Sequence, residues 1–243
     1  MLMKVLFLLP PSEGKASWWD YTKEKLSFKF EKPCDIAKNV TEKDLKCTWA
    51  RFEEGKNLNI SLCEWTQKEY TESINRYSWV MYNAIDYKNM TEEGKKFFEN
   101  NFLIFSAMYW VLKPLDIIWN YKLPLEKSPL YKFWWDKIPD VIIALKPDYI
   151  VNLLPINYAK LIWLGTNCSQ HKKKLEKITN AWIKIININF LKKDGKKISH
   201  WVKKIKWEWI KNICENNILD YKKFTWQIKE NWHIVDVNLI FDK

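Results

Sequence analysis

The chain is short of glycine: it holds 5 in 243 residues, where average usage of ~7% gives ~17. The long glycine run of a P-loop is therefore missing. Arginine is scarcer still, with only Arg51 and Arg76. That argues against base-specific reading of DNA, which relies on bidentate arginine contacts. There are 3 histidines, His171, His200 and His233, with no H-E-x-x-H spacing and no paired E-x-x-H motifs. No metal site, iron-sequestering cluster or cofactor is indicated. The 5 cysteines (Cys34, Cys47, Cys63, Cys168, Cys214) are an odd number without a C-x-x-C pair. A disulfide framework and a structural zinc site are not expected, and the cysteines read as small buried side chains. No apolar run approaches the ~18–20 residues that span a bilayer. The longest, Phe102 to Leu112, is interrupted by Ser106 and closed by Lys113 and Pro114. Val5–Leu9 is too short for a signal-peptide core and lacks a small-residue cleavage site. A soluble protein, most simply cytoplasmic, is expected.

What remains is ample for folding. With 47% apolar and 28% charged residues the chain can bury a core, and its length fits one domain over residues 1–243. Met3–Leu9 reads as a buried strand stopped by Pro10-Pro11, and Leu26–Glu31 alternates as a half-buried strand does. Thr41-x-x-Asp44 resembles a capping box. Helical patterns follow at about 64–87 and 91–101, then a short strand at Phe102–Ser106. Lys113–Pro129 reads as loop, and Tyr131–Leu145 as helix despite Pro139. Tyr149–Leu154, Trp182–Leu191 and Val237–Phe241 read as strands. Asp194-Gly195 forms a turn before the basic helix Ser199–Asn216. Helices and strands interleave without internal repeat, so an α/β or mixed α+β fold with a central mixed sheet is expected.

Tryptophan is in surplus by about as much as glycine is missing: 16 residues. Some stand where a bulky ring makes little sense. Trp207 points off the apolar stripe of Val202, Ile205, Trp209 and Ile213, among Lys203, Lys204 and Lys211. Either these rings stack on a ligand, or some UGA codons that encode glycine have been read as tryptophan. The Lys-, Asn- and Ile-rich composition suits the AT-rich genome such recoding accompanies.

Charge is also uneven. Residues 1–159 carry 22 basic and 21 acidic side chains, whereas residues 160–243 carry 18 and 8, a net of +10. This is either a solvated lysine face or a surface for a polyanion. Ser12-Glu13-Gly14-Lys15 follows a strand end, where open sheets place ligand sites. There Lys15 can meet a phosphate and Glu13 can accept a proton; the alternative is a turn with a surface ion pair. Lys113, Asp116, Tyr121 and Lys122 form a second polar cluster on a proline-stiffened loop, either a binding surface or a structural salt bridge. With Lys203 and Lys206 on one flank of the last helix, these groups can converge on a basic cleft suited to a phosphate backbone. His200, at the head of that helix, reads either as a member of the cleft or as a packing residue.

Several blocks carry a family resemblance. Leu8-Leu9-Pro10-Pro11-Ser12-Glu13-Gly14-Lys15 resembles the N-terminal signature of the YaaA family of peroxide-stress proteins. Tyr77–Ala84 is similar to its Y-x-G-x-x-Y-x-A, and Ser106–Asp116 with Tyr121-Lys122-Leu123 to its block Y/W-G-x-x-R/K-P-x-D and Y-R-L. Phe133–Asp136 resembles F-W-G-D, and Ser199–Trp207 resembles S-H-x-x-K-x-x-K/R-G. Trp79, Trp110, Trp135 and Trp207 each stand where the family has glycine, as a misread UGA predicts. The family's N-L-x-S-x-E-Y is Asn152–Tyr158 here, with Pro155 and Asn157 in place of its Ser and Glu. The resemblance implies a cytoplasmic bacterial protein with a single-domain fold of its own type and a helix-hairpin-helix-like element. Its implied role is to bind double-stranded DNA in a basic cleft and limit iron-mediated damage during peroxide stress. The scarcity of arginine adds an expectation of weak sequence preference, and a monomer is the favoured state. No enzymatic activity is implied; the alternative is an enzyme for a phosphorylated or nucleotide substrate with Glu13 and Lys15 in its site.

Overall fold

The computed structural model describes residues 4–18, 20–45, 49–66, 69–125, 128–134, 137, 139–155, 158–159, 169–192, 194, 202–216, 224–231 and 234–241. The apolar run Val5–Leu9 forms β1, with its last four side chains buried. A strand apolar on both faces belongs inside a covered parallel sheet, and β1 has that place. It pairs in parallel with β3 (Phe102–Ser106) on one side and β6 (Tyr149–Asn152) on the other. Parallel pairing continues from β6 to β7 (Lys184–Lys192) and on to β9 (Ile234–Phe241). Antiparallel strands finish both sides: β4 (Trp110–Leu112) on β3 and β8 (Phe224–Asn231) on β9. The order is β4-β3-β1-β6-β7-β9-β8. A separate antiparallel pair joins β2 (Tyr70–Glu72) to β5 (Ile117–Trp119). The fold is mixed α/β, as expected.

Short helices dominate the first half: α1 (Cys34–Lys38), α2 (Glu42–Leu45), α4 (Ser73–Arg76) and α5 (Val80–Ile85), with the longer α3 (Trp49–Glu64) among them. Thr41 does close a capping box, its amide donating to Asp44 Oδ2 at 2.7 Å. Thr91 caps α6 (Glu92–Asn101) by accepting from the Gly94 amide at 3.1 Å. α7 (Ser128–Trp134) and α8 (Pro139–Ala144) follow, then α9 (Ser169–Asn180) and α10 (Val202–Asn216). Pro139 does not sit inside one long helix; it starts α8, where its missing N–H and fixed φ do no harm.

Three further expectations are corrected. The helical pattern at 64–87 is broken into β2, α4 and α5, because Trp65 and Trp79 have φ of 56° and 89° and no helix passes through such residues. Leu26–Glu31 keeps its alternation, with Leu26, Phe28 and Phe30 packed on the core, but it is a strap and not a strand. Only Lys25 bridges to Ile117, and the Ser27 amide goes to the Asp116 carboxylate instead of a ladder. Cys34 and Cys63 are disulfide-bonded across 29 residues because α1 packs on α3. Cys214 is free and buried.

Trp207 is also unlike its sequence reading. It is 5% exposed, turned inward from α10 and not out among lysines. Trp135 lies outside the described residues.

Candidate functional site

The carboxyl ends of β1 and β6 lie side by side where the chain order reverses about β1. Open α/β sheets form ligand crevices at such a point. A cavity of about 680 Å³ opens there. Pro10, Pro11, Ser12, Glu13 and Lys15 leave β1 along one wall, and Leu153, Leu154 and Tyr158 leave β6 along another. The start of α5, the segment Tyr121–Leu125 and Trp207 of α10 complete it.

The loop after β1 is pinned from behind. Lys15 bridges to Tyr77, the Ala16 amide donates to the Arg76 carbonyl at 2.8 Å, and the Ser78 amide donates to the Gly14 carbonyl at 3.0 Å. A Cβ on Gly14 would meet Ser78 Oγ at 3.0 Å, so glycine eases this close approach. Arg76 is buried and donates to the carbonyls of Ala16, Trp18 and Glu69. Burial lowers its pKa to about 10, which leaves it charged.

Lys15 places its Nζ 4.3 Å from the centre of the Tyr121 ring and 5.7 Å from that of Tyr77. It donates one hydrogen bond, to the Ser12 carbonyl at 3.2 Å. Part of the side chain borders the cavity, so the residue is half-buried by area. Protein atoms still crowd it densely enough that loss of water pushes its pKa from 10.5 down to about 7. Lys122 lowers it further, Glu13 opposes, and Arg76 adds a smaller push down. Beneath it the Tyr121 hydroxyl lies 2.8 Å from both Tyr77 Oη and Ser106 Oγ. Burial raises Tyr121 to about 12 and Tyr77 well above the usual 10, so both stay protonated at neutral pH.

Lys122, next to Tyr121 in the cavity lining, is held by α3. Asn59 of that helix donates to the Lys122 carbonyl at 2.9 Å and accepts from its amide at 2.8 Å. A Cβ on Gly55 would meet Lys122 Cβ at 2.8 Å, so glycine there lets the lysine stem lie against the helix.

Of the residues singled out from sequence, Ser12, Glu13, Lys15, Tyr121 and Lys122 thus share one cavity. Lys113 and Asp116 do not line it. Asp116 is buried, and its carboxylate accepts from the Ser27 amide at 2.8 Å, Ser27 Oγ at 2.6 Å and the Lys113 amide at 2.8 Å. Lys113 has an exposed side chain. His200 and the side chains of Lys203 and Lys206 fall outside the described residues, as does Asn157; Pro155 lies at the cavity rim. Tyr77, Ser106 and Asn59 carry the site but were not read as site residues. The first two at least lay inside the blocks that resembled a family.

The sequence profile described as "Peroxide stress protein YaaA" matches residues 5–235. The chain belongs to this family of peroxide stress proteins. A UPF0246 protein of Rickettsia bellii is 30% identical over 198 residues, covering 76% of this chain and 74% of the relative. One from Marinomonas sp. is 30% identical over 201 residues (76% and 68%), and one from Shewanella piezotolerans is 23% identical over 237 residues (88% and 87%). Family membership supports a general oxidative-stress role. Among the described residues no helix is long and apolar enough to cross a membrane, and no three His, Cys, Asp or Glu side chains converge as metal ligands do.

Proposed function

We propose that the chain serves the oxidative-stress role of its family by holding a small phosphate-bearing ligand, of nucleotide size, in the cavity at the ends of β1 and β6. The observation that carries this reading is that Lys15 and Lys122 line the same cavity of about 680 Å³. That volume suits a small molecule, and Lys15, half-buried at the cavity's edge, is within reach of a ligand that enters it. Glu13, exposed at the lip, is positioned to accept a proton from such a ligand, as expected of an enzyme for a phosphorylated substrate.

Charge supports a second reading. Residues 160–243 carry a net of +10, and Lys203 lies one helical turn before Trp207 of the cavity wall. In this reading double-stranded DNA lies across the mouth, held by counterion release with little sequence preference, and the protein limits iron-mediated damage.

Salt-titrated binding separates the two. A nucleoside monophosphate should lose affinity about tenfold in Lys122→Met and keep it in Lys203→Glu plus Lys206→Glu. Unchanged nucleotide binding by Lys122→Met overturns the cavity reading. Duplex affinity that survives the double charge reversal overturns the DNA reading.

A further inference from the structure

Lys15 is an amine without a carboxylate. Among the described residues no Asp or Glu oxygen comes within ion-pair distance of its Nζ, and Glu13, the nearest acid in sequence, is exposed. The groups packed round the amine are a carbonyl, two aromatic faces and, further off, the charges of Lys122, Glu13 and Arg76, of which Glu13 alone is an anion. A lysine serving only to staple the loop after β1 gains one hydrogen bond from this arrangement and leaves its charge badly placed. Desolvation beside other cations is, by contrast, the environment that makes a lysine amine a nucleophile.

We propose that Lys15 attacks the carbonyl carbon of a phosphorylated aldehyde or ketone bound in this cavity and forms an imine with it, Lys122 holding the phosphate. This deepens the small-ligand reading and rests on it. The Nζ lone pair forms the new C–N bond as the C=O π electrons move to oxygen. The nitrogen passes one proton to the former carbonyl oxygen, a second reaches that oxygen from a neighbouring hydroxyl and it leaves as water, and the protonated C=N bond that remains returns a proton to the hydroxyl's oxygen. Tyr121, which lines the cavity, is a protonated hydroxyl able to supply the proton that the departing oxygen needs, and its bonds to Tyr77 and Ser106 hold it in place. A pKa of about 7 leaves roughly half of the Lys15 amine uncharged and reactive at neutral pH.

The test uses pyridoxal 5′-phosphate as a phosphorylated aldehyde probe on the full chain, with borohydride to fix any imine and peptide mass mapping to locate it. At limiting probe, Lys15 is expected to carry about tenfold more adduct than any exposed lysine. Labelling should be half-maximal near pH 7, with Glu13, Lys122, Arg76, Tyr77 and Tyr121 the charged or titratable groups facing the amine. Lys122→Met should cut it about tenfold for pyridoxal phosphate but not for unphosphorylated pyridoxal. Lys15→Arg, which keeps the charge, should abolish it while retaining the wild-type melting temperature within a few degrees. Adducts spread over exposed lysines with Lys15 unmodified overturn the proposal. If inorganic phosphate still raises the melting temperature through Lys122 in that case, the small-ligand reading stands without the imine. If phosphate has no effect either, both fall.

The backbone carries an independent inference about the chain itself. Six described non-glycine residues have positive φ: Trp65 (56°), Trp79 (89°), Asp86 (51°), Trp110 (69°), Lys146 (49°) and Trp182 (61°). With 16 tryptophans in 243 residues, chance placement gives fewer than one among six, and a bulky side chain is disfavoured there besides. Trp65 and Trp182 follow the ends of α3 and α9, where glycine is the usual left-handed cap, and their rings are 62% and 84% exposed. Trp79 pairs φ 89° with ψ 179°, a region essentially confined to glycine. Trp110 is fully buried with an indole N–H that finds no acceptor among the described residues. Trp119 and Trp134 behave otherwise: they lack positive φ, and their N–H groups donate to the Leu58 and Ala107 carbonyls.

We infer that glycine occupies positions 65, 79, 110 and 182 in the protein the organism makes. The coding DNA tests this. TGA is expected at those four codons and TGG at Trp119 and Trp134. Three or four TGA codons bear the inference out, and fewer overturn it.

Discussion

Two loops leave the same sheet carrying much the same chemistry. After β1 come Ser12, Glu13 and Lys15; after β4 come Lys113 and Asp116. Their fates are opposite. In the second loop the acid is the buried partner, and its carboxylate is consumed by two amides and a hydroxyl, while the lysine points to solvent. In the first loop the base is the buried partner, and the acid stays outside. A carboxylate can be saturated by backbone donors, which every loop supplies. An ammonium needs acceptors, and the loop after β1 offers it only the Ser12 carbonyl. The loop after β4 completes a structure, and the loop after β1 leaves an amine at the edge of a cavity.

The difference is sharpest in Asp116→Ala. Loss of three charge-assisted bonds from a buried site should destabilise the fold by about 3–5 kcal/mol in urea denaturation. The folded fraction should bind phosphate as before, since no cavity wall is touched. An equal loss of binding would break the contrast. Lys15 comes next. Its pKa is lower in the fold than in the unfolded chain, so the unfolded chain holds the extra proton between about pH 7 and 10.5. Stability therefore rises with pH across that window, by at most ~1.4 kcal/mol per pH unit. Lys15→Met should flatten this rise in denaturation curves taken at pH 7, 8 and 9. The smallest effect belongs to Lys113→Ala, below about 0.5 kcal/mol, because its amide and not its side chain makes the bond to Asp116. A larger change in the same assay would place the Lys113 ammonium in the fold's accounting after all.

Much of the sheet was legible in the sequence, for a simple reason. β1, β3 and β6 are covered on both faces and read as short apolar runs, which few other structures produce. α3 was not legible because Gly55 and Asn59 interrupt its inward stripe of Phe52 and Leu62, and both are there for Lys122, sixty residues away in sequence. β8 alternates cleanly from Phe224 to Lys229 and was simply passed over. Leu26–Glu31 shows the limit of alternation: it reports which side chains face inward, and says nothing about where the amides go. The site followed the same division. Ser12 to Lys15 stood out because turn residues after a buried strand have few other uses. Arg76 did not, since nothing local distinguishes a buried arginine held by carbonyls from an exposed one. The Cys34–Cys63 bond depends on helix packing that spacing does not encode.

The walls of the cavity come from Pro10–Glu13, Lys15, Leu45, Trp79–Met81, Tyr121–Leu125, Leu153–Pro155, Tyr158 and Trp207, so no stretch of the chain short of nearly all of it can enclose a ligand. The cavity is therefore a property of the finished molecule: a nascent or clipped copy that stops before Trp207 has the loop after β1 without the complete wall.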